Sequence, residues 1–249
     1  MFTFLLKRFY QAVIVMFVIS LVAFSIQDNL GDPLRELVGQ SVSESVRQEL
    51  RDKMGLNDPF LVKYSRFLKN AVHGDLGTSY FFKRPALEVI LDKLVATLEL
   101  VFAAALIIVV VSIPLGVYSA IRPRSFLTKL IMAVSSIGIS IPVFLTAIML
   151  MYLFSIQLGW LPAYGRGETY NLLGWESGFF TWDGILHLIL PAVSLSSIML
   201  PLFIRLVRSE MLEQLSSEYV KFARAKGLDN NKVYYQHALK NTMLPVITV

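Results

Sequence analysis

Four stretches of this chain run far enough without a formal charge to cross a bilayer, and they limit the fold more than any motif does. Residues 9–26 follow Lys7 and Arg8, 100–121 lie between Glu99 and Arg122, 130–164 between Lys129 and Arg166, and 184–204 between Asp183 and Arg205. Each reaches or exceeds the roughly 18 residues that a spanning helix requires. The third is longer than one span, so its helix is expected to stop near Gly159 and leave Trp160-Leu161-Pro162 at the interface. A fifth run opens at Met243 and is cut short at Val249, as expected of a truncated sequence. A soluble fold has no place for so much apolar surface: 55% of residues are hydrophobic and 16% charged, against about 25% charged in soluble domains. The expectation is an all-α, polytopic helical membrane protein with four complete spans and the start of a fifth.

Charge in the connecting segments sets the topology. Arg122, Arg124 and Lys129 crowd one loop with no acid beside them. Segment 205–242 carries Arg205, Arg208, Lys221, Arg224, Lys226, Lys232 and Lys240 against Glu210, Glu213, Glu218 and Asp229. On the other side, 159–183 holds Arg166 alone against Glu168, Glu176 and Asp183. The positive-inside rule then puts the N-terminus, 122–129 and 205–242 in the cytosol. The first run follows basic residues and ends near Ala23-Phe24-Ser25, as a secretory signal would, but it is longer than the 7–15 residues of a signal core and reads as a retained helix. The net charge of +5 forms no stripe interleaved with aromatics, so nucleic acid is not an expected partner. With no cysteine, disulfides, thiolate metal sites and a cysteine nucleophile are excluded.

Three parts follow: an N-terminal membrane helix (1–27), an external helical segment (28–95), and a transmembrane domain (96–249) whose cytosolic loop is 205–242. In the external segment, Ser41-x-x-Glu44 reads as a capping box, and Val42, Val46, Leu50 and Met54 repeat down one face before Gly55 ends the helix. Pro59 starts a second helix with Asp58 as its expected cap and Tyr64, Phe67, Leu68 and Ala71 on its apolar side. Arg84-Pro85 opens a third that leads into the second span. These helices are either a well-folded loop or part of a docking surface for a soluble partner.

The stretch from Glu218 to Pro245 is a basic loop between two apolar segments. Ser217 can cap a first helix, Gly227 suits a left-handed stop, and Asp229 or Asn230 can cap a second. Its local pattern fits an interfacial linker helix or a docking element. Tyr219-Val220-Lys221-Phe222-Ala223-Arg224-Ala225-Lys226-Gly227 resembles the EAA-type loop of ABC importer permeases, in the dipeptide, oligopeptide and nickel variant. Gly31-Asp32-Pro33, Met54-Gly55-Leu56-Asn57-Asp58-Pro59, Gly74-Asp75-Leu76-Gly77-Thr78-Ser79, Ala96-Thr97-Leu98-Glu99-Leu100, Pro114-Leu115-Gly116, Ser140-Ile141-Pro142, Leu158-Gly159-Trp160-Leu161-Pro162 and Leu190-Pro191-Ala192 look like successive signatures of that family. Together they cover nearly the whole chain in order.

The resemblance implies a permease subunit importing peptides or a peptide-like solute, embedded in the inner membrane. It implies a second permease subunit, two ATPase subunits that bind ATP-Mg, and an external solute-binding protein, with no cofactor on this chain. It implies that Glu218, Tyr219, Phe222, Ala223, Arg224, Ala225, Lys226 and Gly227 contact an ATPase. Val95 departs from the proline usual before the ATLEL-like stretch. Lys221, Phe222 and Ala223 stand where the broader importer motif has Glu-Ala-Ala. The substrate within the class, and whether the permease core is a homo- or heterodimer, is not legible.

Proline and polar groups inside the spans have two readings, helix packing or pathway lining. Pro114, Pro142, Pro191 and Pro201 free backbone carbonyls, and Ser135, Ser136, Gly138 and Ser140 form a small-residue patch. Ser140, Pro142, His187 and Pro191 are the pathway or gating candidates, with His187 close enough to the external end to serve structurally instead. There is no G-x-x-x-x-G-K-[ST] phosphate loop, no H-E-x-x-H and no nucleophile constellation, so ATP hydrolysis is expected on partner chains. Two other readings are a self-powered secondary transporter, which would favour inverted repeats and midplane ionisable groups, and a membrane scaffold, which would not need polar, proline-bearing spans.

Overall fold

The computed structural model describes residues 2–29, 44–53, 55–79, 81–172 and 175–248. They fall into two compact units, residues 1–93 and 94–249.

In the first unit, α1 (Phe2–Asn29) is the apolar N-terminal helix, and Lys7 and Arg8 lie on its first turns. α2 (Glu44–Lys53) ends at Gly55, whose φ of +63° suits a residue without Cβ. The stop is doubly bonded, Gly55 N–H donating to Asp52 O and Leu56 N–H to Arg51 O. Ser41, Val42 and Met54, on which the expected capping box and stripe depended, lie outside the described residues.

α3 (Phe60–Val72) lays its apolar side on α1. Tyr64 is buried there, with its hydroxyl 2.8 Å from Ser20 Oγ, Phe60 and Phe67 stacked on its ring, Phe17 edge-on and Phe24 tilted against it. The helix is capped differently from the expectation. Pro59 takes the N-cap position, and the Asp58 carboxylate is engaged by Arg66. A short bridge between Thr78 and Pro85 leads into α4 (Ala86–Ile121).

Among the described residues of the second unit, the regular elements are helices and one hairpin. α4 has 36 residues, about 54 Å at 1.5 Å per residue, well beyond a hydrocarbon core of about 30 Å. Pro114 sits inside it without ending it. Ser112, Gly116 and Ala120 recur every fourth residue on a buried face, the spacing that lets helix backbones approach. A Cβ on Gly116 would lie 2.7 Å from Val207, so that approach depends on glycine.

α5 (Phe126–Ser140) is capped by Ser125, whose Oγ accepts from Thr128 N–H. The third apolar run does not continue as one helix. It breaks after Ser140 and resumes as α6 (Val143–Leu150), passing into a π-helical stretch Met151–Gln157, with a bend of 108°. The cause is local: Pro142 disfavours helical backbone at the residue before it, and Ile141 is extended at φ −90° and ψ 124°. The chain leaves the π-helical stretch at Gly159, as expected.

A two-stranded antiparallel hairpin, β1 (Tyr170–Leu172) and β2 (Trp175–Ser177), had no clear sequence signal. α7 (Trp182–Ser216) starts on a Thr181 cap and runs for 35 residues through Pro191 and Pro201. Residues 205–216, expected to open a loop, extend this helix. α8 (Glu218–Ala225) follows at once, then a π-helical stretch Lys232–Ala238 that passes into α9 (Leu239–Thr248). Among the described residues, three helices are long and apolar enough to cross a membrane, or four if the bent pair counts as one span.

Candidate functional site

The segment 217–246 is built around a small apolar core at the end of α7. Val220 and Ala223 of α8, Val233 and Ala238 of the π-helical stretch and Val246 of α9 close on Val207 and Met211 of α7, and on Val117 and Ala120 of α4. Spacings of three and four residues put Val220 and Ala223 on one side of α8. Ser217 occupies the N-cap position, but its Oγ donates to Gln214 O and does not cap.

The expected stop at Gly227 is present in full. Its φ is +78°, its N–H donates to Arg224 O at 2.9 Å, and Leu228 N–H donates to Ala223 O at 3.3 Å. A Cβ there would meet nothing within 4 Å, so glycine is required by the left-handed backbone and not by crowding. Asp229 starts the next helical stretch by accepting from Asn231 N–H at 3.0 Å.

The other named residues face outward. Glu218, Tyr219, Phe222, Arg224, Ala225, Lys226 and Gly227 are exposed, Phe222 at 61%. Lys226 Nζ lies 4.5 Å from the centroid of the Phe222 ring, and the Tyr219 hydroxyl donates to Gln214 Oε1 at 2.8 Å. Lys221 pairs with Glu218 along the helix. Ala223 differs from its seven neighbours because it is turned into the protein's own core. The result is a short amphipathic helix fixed by its apolar side, with an aromatic and basic face free to meet another surface.

The four pathway candidates fall into two groups. Ser140 is the last residue of α5, exposed, with its Oγ donating to Ser136 O, and Pro142 is the N-cap of α6. His187 and Pro191 are one turn apart on α7. His187 is largely enclosed: its Nδ1 lies 2.8 Å from Asp183 O, and Gly165 and Gly167 approach its ring. Asp183 Oδ2 in turn accepts from Glu168 N–H at 2.8 Å. Asp183 therefore bonds the 165–168 segment to the start of α7, with His187 packed beside that contact.

Sequence reasoning passed over Glu99. It is 8% exposed, its Oε2 accepts from Arg166 Nη2 at 3.2 Å, and its Oε1 accepts from Gly178 N–H at 3.0 Å. Arg166 also donates to Glu176 O. One carboxylate thus fastens both sides of the hairpin to α4. Beside it lies an apolar cavity of about 480 Å³ walled by Val95, Leu98, Phe102, Trp175, Phe179 and Phe180. The available signal was a lone arginine in an otherwise acidic segment and a glutamate at the mouth of an apolar run.

Comparison with known proteins agrees with this architecture. Residues 112–249 match the family described as binding-protein-dependent transport system inner membrane component, and residues 1–101 match the corresponding N-terminal family. The chain is 34% identical over 262 residues to the dipeptide transport system permease protein DppB of Alkalihalophilus pseudofirmus, covering all of this chain and 79% of that protein. It is 37% identical over 251 residues to the oligopeptide transport system permease protein AppB of Bacillus subtilis, covering 100% and 78%. It is 35% identical over 257 residues to the probable D,D-dipeptide transport system permease protein DdpB of Escherichia coli, covering 98% and 76%.

Proposed function

The chain belongs to the family of binding-protein-dependent transport system inner membrane components, and on that premise we propose that it is the permease subunit of an ATP-driven importer of peptides or a peptide-like solute. Its N-terminus and α8 lie in the cytosol, where positive charge is concentrated. α8 docks on one of two separate ATPase subunits through Tyr219, Phe222 and Lys226. A second permease subunit completes the membrane core, and an external binding protein delivers the solute.

The observation that supports this reading most is how α8 is mounted. Its apolar side is locked to the ends of α4 and α7, so a push on its outer face is passed to those helices as a rigid-body displacement. Closure of an ATPase dimer around nucleotide would then bias the spans between inward and outward access. Peptides are the favoured solute class because the similar proteins carry dipeptide and oligopeptide transport in their names.

Affinity purification in mild detergent tests the assignment. The expected result is recovery of ATPase subunits and a distinct second permease with this chain. Recovery of a homo-oligomer that transports unaided would overturn it.

A further inference from the structure

Arg205 and Arg208 of α7 face α5 with no carboxylate partner among the described residues. Arg205 Nη2 donates to Ser136 Oγ at 2.7 Å, and Arg208 Nη1 meets Met132 Sδ at 3.4 Å. Arg208 Nε is buried and has no hydrogen-bond partner among the described residues. A hydroxyl and a thioether, the second a weak acceptor, bring no counter-charge to these guanidiniums.

Their depth follows from helix register. A Cβ on Gly138 would touch the Pro201 ring at 3.2 Å, so Gly138–Pro201, Ser136–Arg205 and Met132–Arg208 form successive rungs between antiparallel helices. Ser136 lies ten residues into α5, about 15 Å from its start at 1.5 Å per residue. Gly116, packed on Val207, lies five residues from the end of α4, about 7 Å. Beyond Lys129 on the same helix, Ser136 lies about two turns deeper and Met132 just under one turn, and Arg205 and Arg208 reach across to them instead of snorkelling back towards the interface.

The same strip continues inward. Ser140 is one turn beyond Ser136, its hydroxyl bonded back to the Ser136 carbonyl, and the chain then breaks at Ile141-Pro142. Broken backbone at membrane depth is tolerated where it is buried in protein or borders water, and intramembrane arginines face the bundle interior or a water-filled cavity. Two unneutralised cations, two hydroxyls and a helix break on one strip mark a wet surface, not a lipid-facing one.

We propose that Arg205 and Arg208 form an anion site in the inner half of the translocation path and receive a carboxylate of the solute on its way to the cytosol. The proposal rests on the import reading above, since a peptide-like solute carries a terminal carboxylate. Guanidinium matches that group with two parallel N–H donors, and Arg205 is exposed along the strip. A lipid phosphate has the same charge but stays at the interface, about two turns from the Ser136–Arg205 rung.

The absence of cysteine makes the test direct. Ser136→Cys is labelled in inside-out membrane vesicles with two impermeant methanethiosulfonates, one bearing a sulfonate and one a trimethylammonium group. The expected result is labelling by both, with the anionic-to-cationic rate ratio falling about tenfold or more when Arg205→Gln and Arg208→Gln are added. The double lysine variant should keep the ratio, which separates charge from misfolding. A mixture of free-acid dipeptides should slow labelling, whereas the same mixture as C-terminal amides should not.

No labelling, or a ratio indifferent to both arginines, overturns the site. Equal effects of acids and amides overturn its assignment to a carboxylate. A ratio that collapses in proteoliposomes of neutral lipid alone assigns the anion to lipid and overturns the proposal. Labelling needs neither ATPase nor transport, so a charge-dependent ratio in a chain that recruits no ATPase would refute the import reading alone.

Discussion

Arg166 Nη2 lies 3.2 Å from Glu99 Oε2 across 67 residues of chain, joining the segment before the hairpin to α4. The carboxylate is almost fully buried and also accepts from Gly178 N–H just after β2, while the guanidinium is partly solvated. One buried carboxylate therefore bonds to the chain on both sides of the hairpin.

Removing that contact should be costly because each deletion takes a bond from its partner. Glu99→Ala leaves Arg166 without its carboxylate and the Gly178 N–H without its acceptor, and hydrogen bonds to charged groups each contribute about 1.5–3 kcal/mol. The expected loss is about 2–3 kcal/mol for Glu99→Ala and less for the more exposed Arg166→Ala. Thermal denaturation of the detergent-solubilised protein in a double-mutant cycle checks this, with a coupling of at least about 0.5 kcal/mol expected.

Gly116 is the second sensitive point. Its missing Cβ is what allows α4 to lie against Val207, so Gly116→Val should force the two helices apart. Overpacking of this kind costs about 1–3 kcal/mol. The measurement is the melting midpoint, with Leu115→Ile as a control beside it.

Ala223 and Phe222 are neighbours on α8 with opposite surroundings, and their variants should differ accordingly. Ala223→Asp puts a carboxylate among Val207, Met211 and Val233, where a buried charge has no partner. It should lower the folded yield and the melting midpoint by several degrees. Phe222→Ser removes an exposed ring and should leave both unchanged. Size-exclusion profiles and melting curves of the two proteins decide it.

Much of this was legible from local signals. The stops at Gly55 and Gly227, the start of α4 after Pro85 and the apolar side of α3 at Tyr64 and Phe67 all follow from rules acting within a few residues. Long-range pairings were not legible. Asp58 was expected to cap α3, but Arg66, one face along the helix, competes for it. The Ser140 break was hidden because four prolines lie in spans and only Pro142 follows a residue driven into extended backbone. The run past Arg205 was read as a loop because charge was taken to end the helix, whereas Val207 and Met211 continue its buried face. At the candidate site, seven of the eight residues named on and just after α8 are exposed. The inward turn of Ala223 depended on Val233 and Ala238, which a local reading does not bring to it.

The central claim is that α8 transmits the work of an ATPase, and Gly227→Val tests it most directly. No atom crowds that position, so the variant acts through backbone shape, with a left-handed penalty of about 1–2 kcal/mol. Reconstituted with its partner subunits, the Gly227→Val protein should insert and assemble with the external binding protein as the unmodified one does, while solute-stimulated ATP hydrolysis and uptake fall together, about tenfold or more. Unchanged stimulation and uptake at equal incorporation would contradict the account and leave α8 an ordinary linker.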